Sequence, residues 1–138
     1  LNQFEESILA KGIHFYKNVQ PDLNIESNKE QVQRLISILM DNATKYVSEK
    51  GIIEVYLSQV NKQVSFVVAN TADNLEKLEL DKIFDRFYRA DDARCQKSGG
   101  YGIGLSAAKA IVHSLKGTIT VQKQNDNKII FVVKLHLE

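Results

Sequence analysis

This sequence has little cysteine, little net charge and no long apolar runs. Its one cysteine, Cys95, excludes an internal disulfide and fits a reducing compartment. A formal net charge of +1 argues against a dedicated nucleic-acid surface, which normally carries a basic excess. The longest apolar runs fall far short of the roughly 20 residues that cross a bilayer, and no signal peptide is visible. Because the net charge is close to zero, any anion that the chain binds must be held by a local group of charged residues.

Length and composition predict a single domain over residues 1–138. With 43% hydrophobic and 25% charged residues, the chain has an ordinary globular composition and is long enough to bury a core. It contains no internal repeat, low-complexity tract or second-domain boundary. Because it begins at Leu1 and not at Met, we expect a fragment of a longer protein.

Hydrophobic periodicity predicts two main helices and five strands. The clearest helix follows Asn28 as its N-cap and ends by Gly51; another follows the glycine cluster and ends at Gly117. Short helices are predicted over 1–10 and 81–89. Predicted strands are an edge strand at 11–18, a hairpin of 52–60 with 63–70, and a hairpin of 117–124 with 128–137. Since most strands are hairpin-linked, the fold class is α+β, a two-layer sandwich.

Four of the seven glycines lie within the nine residues from Ser98 to Ser106, directly before a helical pattern. A glycine-rich loop that opens a helix offers free backbone N–H groups and the positive end of the helix dipole, which together suit a phosphate. The spacing Gly100-x-Gly102-x-Gly104 lacks the third-position offset of the dinucleotide-binding fingerprint, and the Gly-Lys-Ser/Thr ending of a P-loop is also missing. On the glycines alone, a flexible structural loop is an equal alternative.

On the long helix, helical geometry sets Asn42 roughly 90° from the centre of the apolar stripe, beside Ile38 and Lys45. An amide, an ammonium and an aliphatic group there could line a cleft for a metal-bound phosphate and a flat apolar ring. The alternative is a solvated flank of the helix, with Tyr46 as an aromatic residue at the edge of the core.

Three motifs, taken in order, resemble the N, F and G2 boxes of sensor histidine kinases. They are Asp41-Asn-Ala-Thr-Lys-Tyr46, Ile83-Phe-Asp-Arg-Phe-Tyr-Arg-Ala-Asp91 and Gly100-Tyr-Gly-Ile-Gly-Leu105. The resemblance covers nearly the whole chain and implies the catalytic, ATP-binding domain of that family. Its Bergerat-type fold is a mixed, mostly antiparallel sheet covered on one face by about three helices, with nucleotide between the helices and a lid.

The resemblance assigns roles by position. Asn42 would be the Mg²⁺ ligand, Lys45 and Tyr46 would reach the phosphates, and Arg89 would contact the terminal phosphate, unless it is only a surface arginine. Asn42, Lys45 and Arg89 are thus the catalytic candidates. The G2 residues implied in nucleotide binding are Gly100, Tyr101, Gly102, Ile103, Gly104 and Leu105. Phe84 and Phe87 would anchor the lid by packing.

The chain departs from the family at the G1 box, usually Asp-x-Gly-x-Gly, whose carboxylate accepts a hydrogen bond from the adenine amino group. Here Asn70 stands in place of the Asp, and Ala72 and Asn74 replace glycines. The Asn70 oxygen can still accept this bond, but the amide is uncharged and can flip. Positive backbone dihedrals become costlier at Ala72. We expect ATP binding that is weakened and not abolished.

Two further features limit the chemistry. Gyrase-like ATPases place a catalytic Glu four residues before the metal-binding Asn, whereas this chain has Ile38 there, so we expect negligible hydrolysis by that route. None of His14, His113 and His136 resembles the histidine that family members phosphorylate.

The function implied is therefore binding of Mg-ATP and transfer of its γ-phosphate to a histidine on a separate dimerising helical domain of the parent protein. A response regulator would act downstream. The fragment itself would be a monomer, and its parent would be a homodimer. This domain would lie in the cytoplasm, and the parent could be anchored in the plasma membrane, as many sensors of the family are. The alternative is a degenerate pseudokinase module that senses nucleotide or stabilises a dimer.

Overall fold

The computed structural model describes residues 6, 8–19, 29–73, 75, 80–84, 104–125 and 127–136. Residues 8–10 are helical, as predicted for the start of the chain. The elements that follow are β1 (His14–Val19), α1 (Lys29–Tyr46), β2 (Ile52–Val60), β3 (Gln63–Thr71), a 3-10 turn (Leu80–Lys82), α2 (Gly104–Ser114), β4 (Thr118–Gln124) and β5 (Lys128–His136).

The five strands form one sheet in the order β1-β2-β3-β5-β4. Strand β1 is an edge strand parallel to β2, because α1 carries the chain back across the sheet between them. The other three pairings are antiparallel. Asn61 and Asn125 begin the two hairpin turns with φ angles of 57° and 55°, a conformation that asparagine tolerates. The sheet is therefore mixed and mostly antiparallel, and the predicted fold class is confirmed.

One face of the sheet packs against the helices and forms the core. Alternate residues of β3 and β5 point into it, together with the apolar stripes of both helices. The buried residues of these four elements include Leu35, Leu39, Met40, Ala43, Val64, Phe66, Val68, Ala108, Val112, Ile129, Phe131, Val133 and Leu135. Phe131 lies on this face of β5 and meets the ring of Phe84 edge to face, with 6.1 Å between ring centroids.

The opposite face carries exposed tyrosines and a charged network. Tyr16 and Tyr56 are both more than a third exposed. The Tyr56 hydroxyl donates to Glu54 Oε2 at 2.7 Å, and Lys128 forms an ion pair with Glu54 Oε1. The hydrogen bond from Lys128, followed by that from Tyr56, holds the pKa of Glu54 below its usual range. Polar and partly exposed side chains are typical of a sheet face that meets solvent.

The first long helix ends earlier than predicted, at Tyr46 and not near Gly51. The chain leaves the helix because the Ser48 N–H turns to donate to the Thr71 carbonyl of β3, at 2.9 Å. Gly51 has a different purpose from the helix stop that we predicted. A Cβ atom at Gly51 would overlap Thr71 Oγ1 and lie 2.6 Å from Ser48 Oγ, so only glycine allows this close approach.

Two other predicted boundaries differ or fall outside the described residues. Where we predicted a helix over 81–89, the structure has the 3-10 turn followed by Ile83 and Phe84 in a turn. Residues 85–89 lie outside the described residues. The predicted N-cap Asn28 also lies outside it, although α1 begins at the next residue.

The end of α2 also corrects a prediction. The Lys116 N–H donates to His113 O and the Gly117 N–H to Val112 O, which is the hydrogen-bond pattern of a Schellman motif. The left-handed residue is Lys116, with φ 60°, and not Gly117. Gly117 is needed for packing, since a Cβ atom there would overlap Lys134 O and lie 2.7 Å from Leu135 Cδ2.

Replacing Lys116 by glycine is expected to stabilise the fold by about 0.5–1 kcal/mol. The left-handed backbone costs a side-chain-bearing residue about 1–2 kcal/mol, and the larger entropy of an unfolded glycine offsets part of the gain. Urea denaturation followed by circular dichroism measures the change. Lys116→Ala is the control, because it removes the charge at the helix end but keeps the strain, and equal stabilities of the two variants would contradict the explanation.

Candidate functional site

The N-box residues lie along one edge of α1. The core stripe of this helix leaves Asn42 and Ile38 half-buried and Lys45 and Tyr46 exposed, which confirms the position at the edge of the core that helical periodicity predicted. Lys45 Nζ lies 3.5 Å from Asp41 Oδ2, one turn back along the helix. An exposed pair of this kind holds the ammonium only weakly, so Lys45 remains available to an anion.

The amino end of α2 lies against the same edge of α1. A Cβ atom built on Gly104 would be 3.9 Å from Ile38 Cγ2, and Ile38 lies one helical turn before Asn42. The first N–H groups of a helix have no intrahelical acceptor and carry the positive end of its dipole. This contact therefore brings the last G2 residues, Gly104 and Leu105, to the wall that carries Asn42.

The G1 position holds a buried polar side chain with one unused acceptor. Asn70 is near the end of β3 and is 0% exposed. Its Nδ2 donates to the Thr71 carbonyl at 3.1 Å, while Oδ1 has no hydrogen-bond partner among the described residues. Since a buried acceptor without a partner costs about 1–3 kcal/mol, this oxygen fits a group that supplies a donor.

The end of β3 next to Asn70 is fixed by a set of hydrogen bonds among Ser48, Thr71 and Ile52, here called the Ser48–Thr71 clasp. The Thr71 carbonyl accepts the Ser48 N–H at 2.9 Å as well as the Asn70 amide. The Ser48 and Thr71 hydroxyl oxygens are 2.8 Å apart, and the Ile52 N–H donates to Thr71 Oγ1 at 3.0 Å. A flipped Asn70 amide would set two carbonyl oxygens against each other, so the free flipping expected from the sequence is opposed.

The backbone strain expected at Ala72 is absent. Its φ is not positive, since the described non-glycine residues with positive φ are Lys50, Asn61, Lys116 and Asn125. Ala72 is 7% exposed, and its N–H donates to Asn127 O at 3.0 Å. This bond continues the pairing of β3 with β5 past the last strand residue, which keeps the backbone in a conformation that alanine adopts without strain. Asn74 lies outside the described residues.

The F-box residue Phe84 is packed as predicted, half-buried against Phe131. The ammonium of Lys109 from α2 lies 5.7 Å from the centroid of the Phe84 ring, within cation–π range. Phe84 thereby links the F box to α2 and to β5 of the sheet. The other predicted residues of the F and G2 boxes fall outside the described residues: Phe87, Arg89, Gly100, Tyr101, Gly102 and Ile103.

The described structure thus places Asn42, Lys45 and Tyr46 along one edge of α1, and Gly104 of α2 lies against Ile38 on that edge. Asn70 and Ala72 lie at the end of β3, beside the loop that leaves α1. Sequence reasoning missed Ser48 and Thr71, and it interpreted Gly51 only as a helix stop. The signal available for them was a serine three residues before a glycine, just after the N box, and a hydroxyl residue directly after Asn70.

No group of three or more His, Cys, Asp or Glu side chains that could hold a metal ion occurs within the ranges described above. A hard cation such as Mg²⁺ is often held by one or two protein oxygens together with substrate phosphates. The half-buried amide of Asn42 can supply such an oxygen.

Comparison with known proteins identifies the class. Residues 27–138 match the model of the histidine kinase-, DNA gyrase B- and HSP90-like ATPase family, so the chain belongs to that family. Two relatives are a sensor protein and a signal transduction histidine-protein kinase. Sensor protein CiaH of Streptococcus pneumoniae is 41% identical over 107 residues, which cover 78% of this chain and 24% of CiaH. Histidine-protein kinase ArlS of Staphylococcus haemolyticus is 37% identical over 113 residues, covering 79% and 25%.

The fold is shared with solved histidine kinase domains. The catalytic domain of histidine kinase ThkA is similar with a TM-score of 0.80 and 23% identity, over 98% of this chain and 86% of that one. This chain spans about a quarter of the length of the curated relatives named above. None of the helices that the structure describes has the length and apolar character needed to span a membrane.

Proposed function

We propose that this chain binds Mg-ATP and presents the γ-phosphate to a histidine on a separate helical domain of a longer sensor kinase. The observation that carries the proposal is Asn70, a fully buried amide whose oxygen has no partner in the described structure. The 6-amino group of adenine would satisfy this oxygen. An acceptor left unsatisfied at 0% exposure is costly, and a ligand that pairs with it recovers this cost.

The remaining residues would bind the triphosphate. The oxygen of Asn42 would ligate Mg²⁺, and Lys45 and Tyr46 are exposed on the same edge of α1, where they can reach phosphate oxygens. The first N–H groups of α2 would face the phosphates, and Arg89 would contact the terminal one. When bound, Mg-ATP supplies the phosphoryl group and a cation that neutralises developing charge. The protein's part is to position these groups.

The nucleophile would come from outside the chain. Ile38, at the position where related ATPases carry a catalytic Glu, is a half-buried apolar residue in contact range of α2. His14, His113 and His136 are exposed on β1, α2 and β5, but none of them resembles the histidine that family members phosphorylate. We therefore propose that the acceptor lies on the dimerising helical domain of a homodimeric parent. This 138-residue chain would be its single, monomeric ATP-binding domain, lying in the cytoplasm, with a response regulator as the next acceptor.

A degenerate, non-catalytic module is the alternative. This alternative was suggested by the altered G1 box. Two observations argue against it: the backbone of Ala72 is unstrained, and the Asn70 oxygen is oriented as an acceptor. Calorimetric titration of the chain with Mg-ATP tests binding, and no heat of binding at millimolar nucleotide would overturn the proposal. Autophosphorylation of the parent protein with radiolabelled ATP separates a kinase from a module that binds nucleotide without transfer.

Replacing Gly104 by alanine is expected to weaken Mg-ATP binding by roughly tenfold while leaving the fold as stable as before or up to about 1 kcal/mol more stable. The fold has room for the added methyl group, which would lie 3.9 Å from Ile38 Cγ2, and the φ of Gly104 is not positive. The methyl group would instead meet a phosphate approaching the amino end of α2. Calorimetry and urea denaturation measure the two effects separately.

The matched control is Ala110→Gly, an exposed position within α2. It should lower stability by about 1 kcal/mol and leave the affinity for Mg-ATP unchanged. An alanine at position 104 that binds Mg-ATP as tightly as the original glycine would show that phosphate does not approach this end of the helix.

A further inference from the structure

We infer that the base-binding position of this chain is built for an amide and not for a carboxylate, and that Ser48 and Thr71 are positioning residues that keep Asn70 Oδ1 free as an acceptor. The site would accordingly take 6-amino purine nucleotides and reject 6-oxo purines. This inference rests on the proposed function, because it names the class of nucleotide that the same site selects.

The amide of Asn70 is held in one orientation. Its Nδ2 donates to the Thr71 carbonyl at 3.1 Å, and the side chain is 0% exposed, so water cannot replace this bond. A rotation of the amide by 180° would bring Oδ1 against the Thr71 carbonyl, an acceptor, and would leave Nδ2 without its present partner. The loss of the Nδ2 hydrogen bond and the close approach of two oxygen acceptors both oppose that rotation.

The Thr71 carbonyl is itself fixed by the Ser48–Thr71 clasp. The Ser48 N–H donates to it at 2.9 Å, and the Thr71 hydroxyl is held by Ser48 Oγ at 2.8 Å and by the Ile52 N–H at 3.0 Å. Gly51 leaves the space in which these hydroxyls meet. The orientation of the Asn70 amide therefore depends on residues that no bound nucleotide has to touch.

A carboxylate does not suit this position. An Asp at residue 70 would have the same shape, but it has no donor for the Thr71 carbonyl and would place two oxygens at about the 3.1 Å that now separates donor and acceptor. It would also bury a negative charge in a site with no exposure. Restoring the residue that family members usually carry is thus expected to weaken binding.

The fixed amide also selects the base. Oδ1 can only accept, so it pairs with the 6-amino group of adenine, whereas the 6-oxo group of hypoxanthine or guanine would bring a second acceptor against it. A site built to pair with a substrate donor discriminates strongly against an analogue that lacks it, because its own polar group is then left unpaired.

The test is calorimetric titration of the 138-residue chain with Mg-ATP and with Mg-ITP, which differ at the 6-position of the base. The unsubstituted chain should bind Mg-ATP at least about tenfold more tightly. Asn70→Asp should bind Mg-ATP about tenfold more weakly than the unsubstituted chain. Thr71→Val, which removes the hydroxyl at similar volume, should lower the ATP/ITP affinity ratio at least about threefold, and Thr71→Ser should preserve the ratio.

Thr120→Val, at an exposed position of β4, is the matched control and should leave the ratio unchanged. The ratio is the decisive readout, because a general loss of stability would weaken both nucleotides alike. Equal affinities of the unsubstituted chain for Mg-ATP and Mg-ITP, or an Asn70→Asp variant that binds Mg-ATP as tightly, would overturn this inference alone. Absence of Mg-ATP binding by the unsubstituted chain would overturn the proposed function and this inference with it.

Discussion

Asn42→Ala is expected to lower autophosphorylation of the parent kinase by at least about a hundredfold at saturating ATP. The side chain is the one oxygen donor that we assign to Mg²⁺, and loss of a metal that neutralises charge on the transferred phosphoryl group costs several kcal/mol of transition-state stabilisation. Incorporation of radiolabelled phosphate into the parent protein measures the rate.

The fold should survive this substitution. Asn42 is half-buried at the edge of the core, and alanine has a higher helix propensity than asparagine by up to about 0.7 kcal/mol. A variant that is inactive and at least as stable as the original protein would separate the chemical role from a structural one. Gln33→Ala removes an exposed amide from the same helix and should leave activity unchanged. Full activity of the Asn42→Ala parent would remove Asn42 from the catalytic set.

Phe131→Ala is expected to lower the free energy of unfolding by roughly 3–5 kcal/mol. The ring is 1% exposed on the sheet face that the helices cover, and its loss leaves a cavity in a close-packed core. It also removes the edge-to-face contact with Phe84, a geometry worth about 0.5–1.5 kcal/mol. Since domains of this size are stable by only about 5–15 kcal/mol, a large share of the total would be lost.

Urea denaturation of the chain and its variants measures this loss. Val132→Ala is the matched control, because the neighbouring residue of β5 points to the opposite, partly exposed face, and we expect it to cost about 1 kcal/mol or less. Equal losses for the two variants would show that the two faces of the sheet are not packed differently.

The sequence predicted the strands better than the ends of the helices. Alternation of apolar residues is local, so the β2–β3 hairpin around Asn61 and the buried face of β5 followed directly from it. The ends of the helices depend on tertiary contacts. Gly51 and Gly117 look like helix terminators in the sequence, but each is required by a neighbouring strand that lies within van der Waals distance only in the folded chain.

The candidate site shows the same division. Asn42, Lys45 and Tyr46 were placed on one edge of α1 by helical geometry alone. The Ser48–Thr71 clasp joins residues 23 positions apart and could not be predicted without the fold. The substitution of Asn70 for a carboxylate was visible in the sequence, but the sequence could not show that a backbone carbonyl receives its Nδ2. The expectation of strain at Ala72 was wrong for the same reason, because hydrogen bonding beyond the end of β3 determines the backbone conformation of Ala72.

The central place of β3 in the sheet has a consequence for hydrogen exchange. Among the described strands, only β3 is flanked by antiparallel partners that are both nine residues long, β2 and β5, whereas β1 and β4 are edges with one neighbour each. Amides of a doubly paired strand exchange with solvent only through the largest openings of the structure, and edge amides exchange through small local ones. Asn70 therefore lies in the segment whose deuterium uptake should be slowest, so the acceptor proposed for the base is attached to the part of the domain that opens least often.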